Sequence, residues 1–158
     1  MKANKILNFN QIKILQALSK TKLAKFYYWT GGTALAYKYL PLRLSEDLDF
    51  FSFNLETDEN LIIELNKLKK ESRVLGIKKI DFIQHLNRQQ FVLNFDKNNP
   101  ESRLLGTGLK LEFVFFPFKN LAKPLVDKNF KIKIDSLIDI ATNKTLATYQ
   151  RNEPKDIF

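Results

Sequence analysis

Cysteine is absent from this 158-residue chain. Disulfide bonds, thiolate catalysis and cysteine metal sites are therefore excluded, and the composition suits the cytoplasm. The single histidine, His85, lies near the end of an expected strand and is assigned no role. No run of about 18 apolar residues occurs, and the N-terminus lacks the apolar segment of a signal peptide. We expect a soluble, cytoplasmic protein with no membrane partner.

The bulk composition is that of one globular domain. Hydrophobic residues make up 44% of the chain and charged residues 27%, which are ordinary shares for a packed protein. The length allows one domain with a real core but not two, so we expect a single domain over residues 1–158. The net charge of +9 comes from 26 lysines and arginines that are spread along the whole chain. Such a charge fits either a solvated lysine-rich surface or a nucleic-acid partner.

A pair of glycines follows the first aromatic run of the chain. The run from Phe26 to Trp29 suits a buried strand, which Gly31 and Gly32 end. Thr33 is predicted to cap a helix over residues 34–40. Free backbone N–H groups at a helix start bind phosphate readily. The turn therefore predicts an anion-binding site.

Two acids follow in the next expected strand. Asp47 and Asp49 are two residues apart, so both side chains leave an extended strand on the same face, roughly 7 Å apart at the backbone. Ser45 shares that face if the strand begins early enough. Like charges aimed at one space repel unless a cation lies between them, and carboxylate oxygens suit Mg²⁺. A phosphate site followed by a metal site predicts that the chain binds a nucleoside triphosphate.

A third acid lies in a later, strongly apolar strand. Leu109, Leu111 and Phe113 fall on one face of this stretch. Lys110 and Glu112 fall on the other face. Buried acids are rare unless they are paired or bound to a metal. Glu112 is therefore either a metal ligand or the partner of a nearby lysine or arginine on a half-exposed sheet face.

The remaining patterns predict the rest of the fold. Helical spacing of apolar residues marks three segments. They are 8–20 with Asn8 or Asn10 as cap, Thr57 to Gly76, and 137–149 behind a cap formed by Ser136 and Asp139. Three strand runs with polar links predict an antiparallel meander over 76–86, 88–96 and 108–116. Together the patterns predict an α+β fold in which helices flank a mixed, mostly antiparallel sheet.

These motifs resemble a known family. Gly31-Gly32-Thr33 followed by Arg43-x-Ser45-Glu46-Asp47-Leu48-Asp49-Phe50-Phe51 is similar to the signature of the AbiEii-type abortive-infection toxins. That family belongs to the DNA polymerase β-like nucleotidyltransferases. Its later helical motifs resemble Asp139-Ile140-Ala141-x-x-Lys144-x-x-Ala147 and Arg151-x(3)-Lys155-Asp156. The resemblance implies a polymerase β-like fold and the transfer of a nucleotide from an NTP.

The resemblance also implies a role for each candidate residue. Two Mg²⁺ ions would be held by Asp47, Asp49 and Glu112, which together with Lys144 form the catalytic set. The NTP would be bound by Gly31, Gly32, Thr33, Ser45 and Lys144, and Asp156 would belong to a fourth motif. The implied acceptor is RNA, at the 3′ end of a tRNA. The implied role is that of a toxin whose partner is an antitoxin encoded alongside.

The family pattern continues past its Lys-Asp element through further helices, whereas this sequence ends at Phe158. We therefore expect a C-terminal helical region that is short or truncated. Two alternatives stay open, namely transfer to a small molecule, as in antibiotic nucleotidyltransferases, and a family member that binds NTP or RNA without catalysis. Intact Asp47, Asp49 and Glu112 argue against the second alternative, whereas the short C-terminus argues for it.

Overall fold

A computed structural model describes residues 6–41, 44–54, 58–71, 75–86, 88–96 and 108–151, without the side chains of 58, 71 and 148–151. The helices in this part of the chain are α1 (Phe9–Leu18), α2 (Leu23–Phe26), α3 (Gly31–Lys38), α4 (Asp58–Glu71) and α5 (Leu137–Arg151). The strands are β1 (Tyr28–Thr30), β2 (Leu48–Ser52), β3 (Ile77–His85), β4 (Arg88–Phe95), β5 (Gly108–Phe115), β6 (Leu125–Val126) and β7 (Lys133–Ile134). Within these ranges, no helix combines the length and the apolar character needed to cross a membrane.

The strands form one sheet in the order β3-β4-β5-β2-β1-β7-β6. β5 runs parallel to β2 and β7 runs parallel to β1, whereas the other neighbouring pairs are antiparallel. The predicted α+β fold with a mixed, mostly antiparallel sheet is therefore confirmed, as is the meander of β3, β4 and β5. Because β5 returns to lie beside β2, the topology brings two distant acidic segments next to each other.

One face of the sheet forms the hydrophobic core. Its central strands contribute the fully buried Trp29, Phe50 and Phe113, and the rings of Phe50 and Phe113 stack with centroids 5.2 Å apart. Buried leucines of α1 and α4, including Leu15 and Leu65, belong to the same cluster. Burial of this apolar surface is the main source of the stability of the fold.

The opposite face of the sheet carries the polar side chains. Because side chains alternate along a strand, the neighbours of the core residues point away from the core. Asp49 of β2 points to this opposite face, as do Lys110 and Glu112 of β5. All three side chains are half-buried. The alternation predicted for β5 is therefore confirmed, because Leu109 and Leu111 are buried on the core side.

Several predicted boundaries around the glycine pair were wrong. Phe26 ends the short helix α2, so the strand begins only at Tyr28. Gly31 is the first residue of α3 rather than part of a turn before it. Thr30 is the N-cap, and its side chain makes no capping hydrogen bond to the helix. The predicted cap, Thr33, lies inside the first turn of α3.

The start of β2 also differs from the prediction. β2 begins at Leu48, so Asp47 lies one residue before the strand rather than within it. Ser45 was expected to share the face of Asp47 if the strand began early enough. Because the strand begins only at Leu48, this condition is not met. The short edge strand β6 was not predicted, because two residues carry too little periodicity to be recognised.

Two predicted helix caps are confirmed. The side chain of Asn8 accepts a hydrogen bond from the backbone N–H of Gln11, and the Gln11 side chain accepts one from the Asn8 N–H. At α5 the Ser136 hydroxyl accepts a hydrogen bond from the Asp139 N–H at 3.1 Å. Each cap satisfies backbone donors that the first turn of a helix otherwise leaves unpaired.

Candidate active site

Asp49 and Glu112 lie side by side on the polar face of the sheet. β2 and β5 are parallel here, and Asp49 is the direct backbone partner of Glu112 across the pair. The Glu112 side chain is 13% exposed and thus largely withdrawn from water. Two carboxylates in such neighbouring positions repel each other unless positive charge is supplied nearby. The fold thus concentrates negative charge at one place, from segments that are 63 positions apart in the sequence.

The start of α3 lies directly against the Asp49 carboxylate. Gly31 has a φ of +75°, and a Cβ atom added to it would lie 2.1 Å from Oδ2 of Asp49. Only glycine fits this position, because any side chain would overlap the carboxylate and strain the backbone. Gly31 and Gly32 are only partly buried, so the first turn of α3 stays accessible beside the acid. An anion bound at that helix start would therefore lie next to Asp49.

Two buried side chains hold the segment that precedes β2. The Thr33 hydroxyl donates a hydrogen bond to the backbone carbonyl of Asp47. The Gln11 amide donates to the carbonyls of Ser45 at 2.8 Å and Glu46 at 3.0 Å. Asp47 and Ser45 are thus fixed by α1 and α3 rather than by strand pairing. The sequence did not suggest a role for Gln11, because its partners are more than thirty positions away in the chain.

Lys110 joins two of the candidate acids. Its ammonium group donates to Oδ2 of Asp47 at 2.6 Å and lies 3.3 Å from Oε1 of Glu112. Burial alone would lower the pKa of Lys110, but the hydrogen bond to Asp47 and the charges of Glu112 and Asp47 outweigh it. The net result is a raised pKa for this lysine. Because Lys110 contacts both acids, the carboxylate of Asp47 reaches the same side of the sheet as Glu112.

Arg88 supplies a second cation to Glu112. Its Nη1 atom lies 3.6 Å from Oε2 of Glu112, across the β4–β5 pair. The structure therefore contains the pairing with a nearby lysine and arginine that was one of the two interpretations of Glu112. Sequence reasoning missed both cations as site residues. Alternation along β5 was a signal for Lys110, whereas the position of Arg88 depends on the register of the β4–β5 pair.

The donor set suits Mg²⁺. Among the residues described by the structure, no three His, Asp or Glu side chains lie close enough together to hold a metal ion. Mg²⁺ in nucleotide sites usually needs only one or two carboxylates, with substrate phosphates and water as the other ligands. Asp49 and Glu112 are neighbouring oxygen donors, and the ammonium of Lys110 already lies between Asp47 and Glu112. The local field therefore favours a cation, and the metal role of the three acids stays a prediction.

Lys144 lies on α5, which packs beside α3. It is half-buried on the same side of the helix as the buried Ile140. The hydroxyl of Tyr39, just after α3, donates to the carbonyl of Asp135 at 2.9 Å and ties the two helices together. The phosphate-binding role of Lys144 stays a prediction. Two further parts of the expected motifs, Arg43 and Asp156, lie outside the described residues.

Asp135 forms part of a second acidic cluster that the sequence did not reveal. Its buried carboxylate accepts hydrogen bonds from the Thr30 hydroxyl at 2.9 Å and from the Asn120 amide at 2.9 Å. The Ser136 N–H is a third donor, at 3.1 Å. Burial, with a smaller effect from the charge of Asp139, raises the pKa of Asp135 to about 6 despite these hydrogen bonds.

Asp139 completes this second cluster. Its carboxylate accepts hydrogen bonds from the backbone N–H groups of Leu121 at 2.7 Å and Ala122 at 3.0 Å, and from the Ser136 hydroxyl at 2.5 Å. Burial would raise the pKa of Asp139, but these donors outweigh it and hold the pKa below its ordinary value. Asp139 thus fastens the loop before β6 to the start of α5.

A family comparison identifies the chain. The family described as the nucleotidyl transferase AbiEii toxin of type IV toxin–antitoxin systems matches residues 13–158. The chain belongs to this family. The match includes the glycine pair, the two aspartates of the β2 region and Glu112. The resemblance stated from the motifs is therefore confirmed.

Individual relatives support the same fold. An uncharacterized protein of Aquifex aeolicus is 26% identical over 152 residues, which cover 96% of this chain and 64% of the relative. Two solved structures from Helicobacter pylori, a candidate nucleotidyltransferase and the protein JHP933, are each 21% identical with a TM-score of 0.66. Each match covers 97% of this chain, and 65% and 63% of the respective neighbours. This member of the AbiEii family thus has the expected fold and spans somewhat under two thirds of the length of these relatives.

Proposed function

We propose that this AbiEii-family chain is a Mg²⁺-dependent nucleotidyltransferase that moves a nucleoside monophosphate from an NTP to an RNA acceptor. The observation that carries the proposal is the contact between Gly31 and Asp49, with Glu112 beside them. It joins an accessible helix start, which suits phosphate, to neighbouring carboxylates, which suit a divalent cation. That combination is what the binding of a metal–triphosphate complex requires.

The chain supplies the binding groups at both ends of this site. The backbone N–H groups of Gly31 and Gly32 would bind the triphosphate, and Thr33 holds the Asp47 backbone in place. The Gln11 amide holds the backbone carbonyl of Ser45. Ser45 would contact the nucleotide from the same segment that precedes β2. Lys144 would neutralise phosphate charge from α5.

The acids would hold the metal and accept a proton. Asp47, Asp49 and Glu112 are the proposed ligands of two Mg²⁺ ions. When bound, Mg²⁺ supplies Lewis-acid activation of the α-phosphate and neutralises charge on the leaving pyrophosphate. Glu112 is also the proposed acceptor of the proton from the attacking hydroxyl. Asp156 is proposed as a further residue of the fourth motif.

Charge and family support the proposed acceptor and partner. The net charge of +9 favours a polyanionic acceptor, and the 3′ end of a tRNA offers the hydroxyl group that the reaction needs. We propose that the protein acts in the cytoplasm as the toxin of a toxin–antitoxin pair and that a cognate antitoxin binds it. Residues 1–158 are proposed to form a single nucleotidyltransferase domain.

The direct test of this function is a transfer assay. The protein would be incubated with Mg²⁺, each of the four labelled NTPs in turn, and total tRNA, and the RNA separated on a denaturing gel. Labelled tRNA is the expected result. Label only on a small acceptor would replace the proposal with an antibiotic-type transferase. Nucleotide binding without any transfer would indicate a family member that has lost catalysis.

A further inference from the structure

Lys110 occupies the space between two of the proposed metal ligands. Its ammonium group contacts Asp47 at 2.6 Å and Glu112 at 3.3 Å, the two acids that a divalent cation would also draw together. The side chain of Lys110 is 33% exposed, so it can swing into solvent without uncovering the core. It arises from the same strand as Glu112 and needs only side-chain rotation to leave.

We propose that Lys110 is an internal counter-cation that closes the metal site until a divalent cation displaces it. This inference rests on the proposed function, because it concerns the same acids. Asp47 and Glu112 would repel each other if no cation were near, and Lys110 removes that repulsion in the metal-free protein. Arg88, on the other side of Glu112 at 3.6 Å, lowers the negative charge further.

The competition follows from the oxygens involved. The ammonium of Lys110 and a divalent cation bound by Asp47 and Glu112 would need the same carboxylate oxygens. Metal binding therefore has to break the contacts of Lys110. The free energy of those contacts lowers the affinity of the nucleotide-free protein for metal. A bound triphosphate offers the released ammonium another anionic partner. Metal and nucleotide are therefore expected to increase each other's affinity.

A metal titration of the nucleotide-free protein tests this inference. Mn²⁺ binding would be measured by isothermal titration calorimetry on the wild type and on Lys110→Met, which keeps the aliphatic stem and loses the charge. We expect Lys110→Met to bind Mn²⁺ about tenfold more tightly, as loss of a nearby positive charge requires. Lys110→Arg, which keeps the charge, should stay close to the wild type.

The matched control is Lys78→Met. Lys78 lies on the edge strand β3 and pairs with Asp96 at 3.0 Å. This variant therefore removes the same charge from the protein, but at a place away from Asp47 and Glu112. Its Mn²⁺ affinity should equal that of the wild type. Circular dichroism would verify that each variant is folded. A second titration, with a non-hydrolysable NTP present, should show a smaller difference between the wild type and Lys110→Met.

Equal or weaker Mn²⁺ binding by Lys110→Met would overturn the inference, and so would a failure of both proteins to bind without nucleotide. The transfer assay remains an independent measure of the proposed function. Tighter binding by Lys110→Met together with an inactive wild type would support the closed metal site and refute nucleotidyl transfer. An active wild type together with unchanged Mn²⁺ binding by Lys110→Met would support nucleotidyl transfer and refute the closed metal site.

Discussion

Two groups of acids lie on either side of Thr30, and they differ in what neutralises them. Thr30 pairs with Asp49 across β1 and β2, and its hydroxyl donates to Asp135. On the Asp49 side, the neighbouring acids are partly exposed and contact the long, charged side chains of Lys110 and Arg88. On the Asp135 side, the acids are buried and bound by hydroxyl, amide and backbone donors.

The two groups differ in how firmly the partners of their carboxylates are held. Backbone and short polar donors around Asp135 and Asp139 are fixed by the fold, so those carboxylates have little capacity left for a ligand. Ammonium and guanidinium groups at the end of flexible stems can be exchanged for a metal ion. We therefore propose that the cluster with exchangeable partners carries the chemistry and that the cluster with fixed partners stabilises the fold.

The first prediction separates the clusters by activity. Asp49→Asn should lower nucleotide transfer by about 1000-fold or more, because the neutral amide is a poor ligand for a divalent cation. Its thermal unfolding midpoint should be close to that of the wild type, since the carboxylate repels Glu112. Transfer of label to RNA and a thermal melt would be measured on the same preparation.

Asp81→Asn is the matched control for this prediction. Asp81 lies on the edge strand β3 of the same sheet, is 41% exposed and pairs with Lys79 at 2.5 Å. Activity should be retained in this variant. Equal losses of activity in both variants would mean that Asp49 has no special place in the reaction.

The second prediction concerns the contact between α3 and Asp49. Gly31→Ala places a methyl group on the Asp49 carboxylate and should lower transfer by about 100-fold through its displacement. Gly76→Ala is the control, because Gly76 also has a positive φ of +65°. Within the part of the chain that the structure describes, no atom beyond its two chain neighbours lies within 4 Å of the added Cβ. Backbone strain should cost each variant about 1 kcal/mol of stability, measured by urea unfolding. Gly31→Ala should lose more than Gly76→Ala, because its methyl group also overlaps the Asp49 side chain. Similar activity in the two variants would disprove the role of the contact.

The third prediction tests the architectural cluster. Asp139→Ala should lower the free energy of unfolding by about 2 to 3 kcal/mol, because it leaves the N–H groups of Leu121 and Ala122 and the Ser136 hydroxyl without their acceptor. Urea unfolding followed by circular dichroism would measure the loss. Activity per folded molecule should change little at low temperature. A stable but inactive variant would instead place Asp139 in the chemistry.

The fourth prediction is a pH dependence of stability. The pKa of Asp135 in the folded protein, about 6, lies above its ordinary value of 3.8, so the protonated form favours folding. The contribution is complete below pH 3.8 and is lost as the pH rises through about 6, by about 2 to 3 kcal/mol. Asp135→Asn should lack this dependence. The difference in unfolding free energy between wild type and variant should therefore fall from pH 4 to pH 7, and a constant difference would rule out this origin.

Periodicity predicted those parts of the fold that depend on neighbouring residues. The alternation of β5 placed Lys110 and Glu112 on one face correctly, and the polar residues before α1 and α5 capped them as expected. The glycine pair was predicted as a turn because glycine allows a sharp bend and a close approach to its backbone. In the structure, Gly31 instead begins α3, where the approach of Asp49 leaves no room for a side chain.

The parts that could not be predicted depend on contacts between distant segments. Asp135 is buried, and it accepts a hydrogen bond from Thr30, which lies 105 positions earlier. The bond from Thr33 to the Asp47 carbonyl joins residues 14 positions apart, across the end of a helix and the start of a strand. No local pattern specifies such pairs. Motif spacing alone therefore named three acids of the candidate site but not the cations that neutralise them.

The most direct test of the account is to locate Mn²⁺ by anomalous diffraction in crystals soaked with Mn²⁺ and a non-hydrolysable NTP. We predict an anomalous peak in contact with Asp49 and Glu112, with the triphosphate against the first turn of α3. The ion-pairing distance from Lys110 to Asp47 should lengthen in the same crystals. A peak at Asp135 and Asp139, or none beside Asp49 when the nucleotide is bound, would contradict the assignment of chemistry to the first cluster.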